Sequence, residues 1–347
     1  MAYGGPGSTA VPWLTGWQVT REAAVVITPG EPLIMLVQFY NHVPNATEVA
    51  TGVDVRWAGP DLFATLTELL VQPGPRRDGV GTIGALPYHR SRPMIEHLGG
   101  VVDLSFAYER IRTIKSSEEL DWMRRGAQLT DLSLDAFLAA ARPGTSETEL
   151  LAAVEASYLS RGGTNHIHYL ATTSMTHPTK CVPAQYPSNR TLREGDVLIT
   201  ELSASFWGYP GQLLRTVTLG AEPTPLYREL HDVAEAARSA ICSRVGAGVH
   251  AQEIFEAARL IGEAGFTIYD DLVHGFGGGY LPPVIGTDTR QNETTPDVTL
   301  QAGMTIVVQP NVVTKDHSAG VQTGELILVT DDGFELMHSA PRGLLKR

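Results

Sequence analysis

The chain has 347 residues, 43% of them hydrophobic and 18% charged, which is enough for two folded domains and excludes a disordered chain. The formal charge of −12, without a cluster of Lys and Arg, excludes nucleic acid as a partner. Two cysteines are too few for a disulfide framework. No apolar run reaches the ~18 residues of a membrane span, and no secretory signal is evident, so we expect a cytoplasmic protein without a membrane partner.

Short β-rich runs and a helical stretch alternate in the N-terminal third, which predicts a small α/β domain. In chain order they are Ala23–Thr28, Leu33–Phe39, Val53–Trp57, the helix Asp61–Val71 and Gly79–Gly84. Ser116 and Glu119 then form the pattern of a capping box, which marks the start of a helix. We place the domain boundary just before it, giving domains 1–112 and 113–347.

The second domain repeats a plan of two helices followed by two strands. The first copy consists of helices Glu118–Arg142 and Glu147–Arg161 and strands Asp196–Ser205 and Arg215–Leu219. The second copy consists of helices Tyr227–Val245 and Ala251–Gly265 and strands Met304–Gln309 and Glu325–Thr330. Two such halves indicate a pseudo-symmetric domain with one cleft between curved sheets. Chance recurrence of helical hairpins in an α+β protein is the alternative.

Several motifs follow one another along nearly the whole chain. They are Leu14–Gly16, Ile114–Glu119, Gly195–Glu201 with Gly208-Tyr209 and Arg215-Thr216, His274–Gly277, Met304–Pro310 and Gly320–Thr330. Their order resembles that of the family of creatinase, prolidase, aminopeptidase P and methionine aminopeptidase. The resemblance implies an α+β fold, with a pita-bread C-terminal domain and a smaller N-terminal α/β domain. It also implies a homodimer in which the N-terminal domain completes the neighbour's cleft, with Trp17–Arg21 as the candidate edge.

The metal-binding positions of that family carry other residues in this chain. Its peptidases bind two divalent ions with two Asp, one His and two Glu. The matching positions here are Glu201, Gln212, His274, Gln309 and Gly324. One carboxylate remains of four, and a glutamine oxygen is a weak neutral ligand. Glu325 follows Gly324 and should face the other side of its strand. We therefore expect no dinuclear metal site and no cofactor, with a single ion between Glu201 and His274 as the weaker alternative.

The replacements stay polar, which favours a pocket that binds a polar small molecule over a decayed one. Creatinase works without metal in the same fold, so the resemblance implies a metal-independent, creatinase-like hydrolase of an amide or amidine-type C–N bond. We expect His274 and Glu201 to be catalytic, because a histidine and a carboxylate can exchange protons near neutral pH. Gln212 and Gln309 are expected to bind the substrate.

Creatinase-like enzymes also place a proton-shuttling histidine in the loop before the first hairpin, where this chain has Ala184. We predict that His177 or His168 takes the role, or that both are structural. His166 and His168 should lie on one side of a strand. Cys181, in the same loop, is a less favoured nucleophile.

Three further side chains are candidates for substrate contact. Arg215 either anchors a substrate carboxylate or braces its hairpin, and Tyr209 and Tyr280 either form walls of the cleft or pack. Three other functions remain open for the chain: a non-hydrolytic lyase or rearrangement in the same cleft, an Xaa-Pro-type metallopeptidase with unusual ligands, and a binding protein without catalysis.

Overall fold

The computed structural model describes residues 1–71, 79–287 and 295–347, which separate into two compact units, Met1–Ile111 and Arg112–Arg347. In the described part of the chain, no helix combines the length and the apolar character needed to cross a membrane.

The N-terminal unit is built on a mixed sheet. Its described residues pair four strands in chain order, with β3 and β4 parallel: β1 (Ala2–Gly4), β2 (Ala23–Val26), β3 (Ile34–Val37) and β4 (Asp54–Trp57). A separate parallel pair is formed by β5 (Gly81–Thr82) and β6 (Val102–Asp103). The helices are α1 (Ala10–Thr15), α2 (Val43–Val49), α3 (Leu62–Val71), α4 (Tyr88–His97) and α5 (Ser105–Thr113), the last running past the unit boundary.

The helices of the C-terminal unit come in two groups, as the repeated plan predicts. They are α6 (Ser117–Ala140), α7 (Glu147–Leu159), α8 (Pro225–Cys242), α9 (Ala251–Ala257) and α10 (Leu260–Glu263). The predicted capping box begins α6: the Glu119 backbone N–H donates to Ser116 Oγ at 3.2 Å, and the Ser116 N–H donates to Glu119 Oε2 at 2.9 Å. Ser146 begins α7 in the same way. Such a cap satisfies otherwise free N–H groups and stabilises a helix by ~1 kcal/mol.

A single curved sheet carries the site. Its main path runs β13-β12-β14-β16-β10-β8-β7, and shorter strands extend it at β16, β10 and β8. The strands of the first half are β7 (Thr164–Ser174), β8 (Asp196–Phe206), β9 (Tyr209–Pro210) and β10 (Leu213–Thr218). Those that follow are β11 (Thr267–Ile268), β12 (Val273–Phe276), β13 (Tyr280–Ile285), β14 (Thr305–Val308), β15 (Val312–Val313), β16 (Gly324–Thr330), β17 (Gly333–Leu336) and β18 (Leu345–Lys346). The two halves meet where β10 pairs with β16, so the sheet mirrors the repeat in the sequence.

Both helix groups pack on the curved sheet. Phe137 of α6 and Leu150 of α7 are buried with Leu198 of β8, whereas Ile254 of α9 is buried with Val308 of β14. Burying one such side chain contributes about 1.5–3 kcal/mol. Helix packing therefore supports both halves of the sheet.

Candidate active site

Four of the predicted side chains converge on one face of the curved sheet. Glu201 lies in β8, Gln212 immediately precedes β10, His274 lies in β12 and Gln309 immediately follows β14. The Gln212 amide Nε2 donates to Glu201 Oε1 at 2.7 Å and to Gln309 Oε1 at 3.4 Å. The Gln309 side chain in turn hydrogen-bonds to His274. This four-residue chain of contacts, the amide bridge, links the carboxyl group of one half to the imidazole of the other.

The Glu201 residue as a whole is partly exposed, whereas its carboxyl group is buried. Burial raises its pKa to about 8, the nearby charge of Asp270 adds to the rise, and the hydrogen bond from Gln212 opposes it. A carboxyl group of this kind is largely protonated at neutral pH and can act as a general acid.

His274 is 1% exposed, and burial lowers its pKa to about 4 against the opposing effects of Gly275, Asp271 and Gln309. Its Nδ1 lies 3.1 Å from the Gly275 carbonyl oxygen, which can only accept a hydrogen bond. Nδ1 therefore carries the proton of the neutral ring, and Nε2 keeps the lone pair. The ring of Tyr280 stacks on the imidazole with centroids 4.1 Å apart, and its hydroxyl donates to Asp271.

The side chains present do not fit the dinuclear metal site of the family. Gln212 directs its amide N–H groups toward Glu201 and Gln309, and an amide N–H cannot coordinate a cation. A Cβ at Gly324 would collide with the Val308 carbonyl oxygen, so the backbone itself leaves no room for a ligand there. Within residues 1–71, 79–287 and 295–347, no three His, Cys, Asp or Glu side chains are grouped to hold a metal ion.

Glu325 faces away from the amide bridge, as strand alternation requires. Its carboxylate is 2% exposed in an ion pair with Arg215 at 3.1 Å, and Arg342 Nε donates to it at 2.5 Å. Arg215 also donates to the carbonyl oxygens of Leu214, Gly324 and Pro341. These contacts favour a structural role for Arg215, bracing its hairpin, over the binding of a substrate carboxylate. Its N–H groups already donate to oxygens within the protein.

The prediction that His166 and His168 share one side of a strand is wrong. A β-bulge between Asn165 and Ile167 breaks the alternation of side chains along β7. The ring of His166 packs edge-on against Phe276, which contacts His274. His168 is buried instead against α7, where its Nε2 lies 2.9 Å from Tyr158 Oη. The structure thus places His168 in the core, where burial and the nearby His166 lower its pKa to about 4, rather than in the catalytic group.

Two other candidates also lie outside the amide bridge. His177 is exposed, and its Nδ1 lies 3.1 Å from Thr176 Oγ1 of the same loop. Tyr209 is 9% exposed and donates to Glu119 of α6 at 3.0 Å, so it packs rather than forming a wall. Tyr280 is 55% exposed and stacks on His274, and its role as a wall of the cleft stays a prediction. Burial raises the pKa of Cys181, which disfavours its thiolate.

Sequence reasoning missed the acidic side of the site. Asp270 and Asp271 precede β12, and Asn311 Nδ2 donates to Asp270 Oδ2 at 2.9 Å. Tyr169 of β7 lies directly opposite Glu201 in the sheet register, and burial followed by the charge of Glu201 raises its pKa. The adjacent aspartates just before the buried strand β12 were a sequence signal that could have indicated this acidic group. Tyr169 could not be found in this way, because its place in the site depends on strand register, which local sequence does not reveal.

With this geometry in hand, comparison with known proteins defines the class. The model of metallopeptidase family M24 matches residues 121–331, and the chain belongs to that family. An uncharacterized peptidase of Staphylococcus aureus strain MW2 is 24% identical over 238 residues, covering 68% of this chain and 65% of that protein. The peptidase of strain MRSA252 matches with the same identity and coverage. The aligned part thus spans just under two thirds of the length of these relatives.

Solved structures confirm the pita-bread fold expected from the motifs. The prolidase from Pyrococcus horikoshii OT3 superposes with a TM-score of 0.83 at 20% identity, covering 99% of this chain and 94% of that one. The Xaa-Pro dipeptidase from Bacillus anthracis gives 0.82 at 21% identity, covering 97% and 92%. The X-Pro aminopeptidase from Thermotoga maritima gives 0.79 at 16% identity, covering 100% and 97%.

Proposed function

We propose that this M24 family member hydrolyses a C–N bond of a small polar substrate, with Glu201 and His274 as its proton-transfer groups and without a resident metal ion. The amide bridge carries the proposal, because it joins a protonated carboxyl group to a neutral imidazole. Membership of a peptidase family supports hydrolysis, since a peptidase cleaves an amide C–N bond.

In the proposed reaction, His274 and Glu201 each transfer one proton. His274 Nε2 accepts a proton from water, and the resulting hydroxide attacks the amide or amidine carbon to form a C–O bond. Glu201 gives its proton to the departing nitrogen as the C–N bond breaks. The proton held by His274 then returns to Glu201 through the products or solvent, which restores both groups. General acid and base catalysis of this kind contributes about 10²–10⁴-fold each.

The metal-independent part of the proposal rests on the donor set. Beside Glu201, at a position where the family's peptidases have a metal-binding carboxylate, Gln212 presents an amide N–H group. At position 324, where they have another carboxylate, this chain has a glycine with no room for a side chain. The proton-shuttling histidine of creatinase-like enzymes has no counterpart at the matching position of this chain. Ala184 lies there and pairs with Leu170 of β7. The rings of His166 and His274 both pack edge-on against Phe276, so His166 is the imidazole that ring contacts connect to the site.

The test uses purified full-length protein and a panel of small amides and amidines in water labelled with heavy oxygen. Hydrolysis places one labelled oxygen in the product, which mass spectrometry detects. We expect His274→Ala and Glu201→Gln to lower kcat at least 100-fold. The matched control His97→Ala, an exposed histidine in the N-terminal unit, should keep the wild-type rate.

Metal content is measured on the same preparation before and after chelator treatment. Activity that survives removal of all divalent ions supports the proposal. Membership of a family described as metallopeptidases favours a metallopeptidase as the second candidate. Stoichiometric metal that restores peptide cleavage after chelation would establish that candidate and overturn ours.

A further inference from the structure

One hydrogen-bond acceptor of the amide bridge is left unpaired. Gln212 is 2% exposed, and its Oε1 has no hydrogen-bond partner among the residues that the structure describes. A buried acceptor without a donor costs on the order of 1–3 kcal/mol. An orphaned oxygen beside the candidate catalytic carboxyl group therefore points to a ligand that supplies an N–H or O–H group.

The same side of the site also carries negative charge. Asp270 receives one hydrogen bond from Asn311, and in the described part of the chain no Lys, Arg or His pairs with it. Its charge acts on both Glu201 and Tyr280. The nearest basic residue of the hairpin, Arg215, is engaged with Glu325 on the other face of the sheet.

Aromatic rings lie beside Glu201 and His274. Tyr169 stands opposite Glu201 in the register, and Tyr280 covers His274 with one ring face while the residue remains 55% exposed. The faces of tyrosine rings attract cations, and neighbouring carboxylates add to the attraction. A tyrosine ring beside a carboxylate that has no cationic partner among the described residues disfavours an anionic ligand.

We propose that the site selects a small cation rich in N–H groups, an amidinium or a protonated amine, held by Asp270, the free oxygen of Gln212 and the tyrosine rings. This inference rests on the proposed function in locating the active site, but it concerns binding and does not require turnover. Of the amide and amidine-type C–N bonds considered for the substrate, this inference selects the amidine type.

The experiment compares three ligands of nearly one shape: benzamidine, which is cationic, benzamide, which is neutral, and benzoate, which is anionic. Calorimetric titration of the full chain should give binding of benzamidine at least 10-fold tighter than of benzamide, and none of benzoate. Asp270→Asn should weaken benzamidine at least 10-fold, because it removes the charge and keeps an oxygen for Asn311. Asp332→Asn, an exposed aspartate in the turn after β16, is the charge-matched control and should change nothing.

Three results would overturn the inference. They are equal binding of benzamidine and benzamide, preference for benzoate, and an Asp270→Asn variant that binds benzamidine like the wild type. Absence of benzamidine binding would do the same. If Asp270→Asn does not fold, the ranking of the three ligands on the wild type still decides. Selective benzamidine binding without hydrolysis of any C–N substrate would overturn the proposed function alone, whereas hydrolysis confined to neutral amides would overturn this inference alone.

Discussion

Burial disfavours the charged forms of Glu201 and His274, and it therefore moves their proton affinities in opposite directions. The pKa of Glu201 is raised to about 8 and that of His274 is lowered to about 4, each by burial first. Between these values both groups are neutral, which is the state the proposed reaction uses. We expect a bell-shaped pH profile of kcat/KM, falling below about 4 as His274 gains a proton and above about 8 as Glu201 loses one. A rate that keeps rising above pH 8 would mean that Glu201 acts as a carboxylate.

The raised pKa of Glu201 also makes a prediction about stability. Between its ordinary pKa of 4.5 and about 8, the folded state holds a proton that the unfolded state releases, so stability falls as pH rises. Glu201→Gln cannot ionise and escapes this loss. We expect its melting temperature to match the wild type at pH 4 and to exceed it by about 5 °C at pH 8.5, measured by calorimetry.

Glu263→Gln, at an exposed glutamate, serves as the control for removal of one carboxylate. A lower melting temperature for Glu201→Gln at both pH values would show that the carboxylate stabilises the fold. The expected result would instead show that Glu201 lowers the stability of the folded protein, as residues retained for activity do.

At the scale of a strand, the backbone of β16 excludes a side chain at position 324. Gly324 has a φ of 156°, and an added Cβ would lie 2.9 Å from Gln309 Cα as well as striking the Val308 carbonyl. We expect Gly324→Ala to lower the free energy of unfolding by about 2–4 kcal/mol, since it combines backbone strain with overpacking. Urea denaturation measures the loss.

Gly144→Ala separates the two causes, because Gly144 also has a positive φ, 95°, but a Cβ there meets nothing within 4 Å. It should cost only about 1–2 kcal/mol. A Gly324→Ala variant as stable as this control would mean that the strand can move aside, and that a metal ligand could be restored by Gly324→Glu.

Local sequence predicts single elements better than contacts between them. Capping residues such as Ser116 mark helix starts, and the motif order led to the fold and to the four residues that form the amide bridge. Strand alternation separated Glu325 from Gly324 but failed at His166, because a bulge inserts one residue that no local pattern reveals. Tyr169 and Asp270 join the site through register and through the loop before β12, which are tertiary facts.

At the scale of the whole C-terminal unit, the site belongs to neither half alone. Glu201 and Gln212 come from the first helix-strand copy, and His274 and Gln309 come from the second. The pairing of β10 with β16 brings them together. The site therefore draws on both halves of the repeat, and the proposed acid comes from one half and the proposed base from the other.

Assembly is the prediction at the largest scale. The family resemblance implies a homodimer, and the N-terminal unit exposes aromatic side chains next to the Trp17–Arg21 segment. Tyr40 is 72% exposed and packs edge-on against Trp57, which is 46% exposed, while Arg21 lies over the ring of Phe39. Exposed apolar patches of this kind mark contact surfaces. We expect light scattering after gel filtration to give twice the chain mass of 37.4 kDa.

A substitution in this patch tests where the dimer forms. Tyr40→Glu should give the single-chain mass, because it places a charge in the contact, and the exposure of Tyr40 leaves the fold of its unit intact. Tyr88→Glu is the matched control, since Tyr88 is 75% exposed and lies in α4. A monomeric wild type would contradict the homodimer, and a Tyr40→Glu dimer as tight as the control would move the interface to another surface. If the dimer also completes the site, hydrolysis should fall with dilution in step with the mass, and Tyr40→Glu should lose activity without any change in its melting temperature.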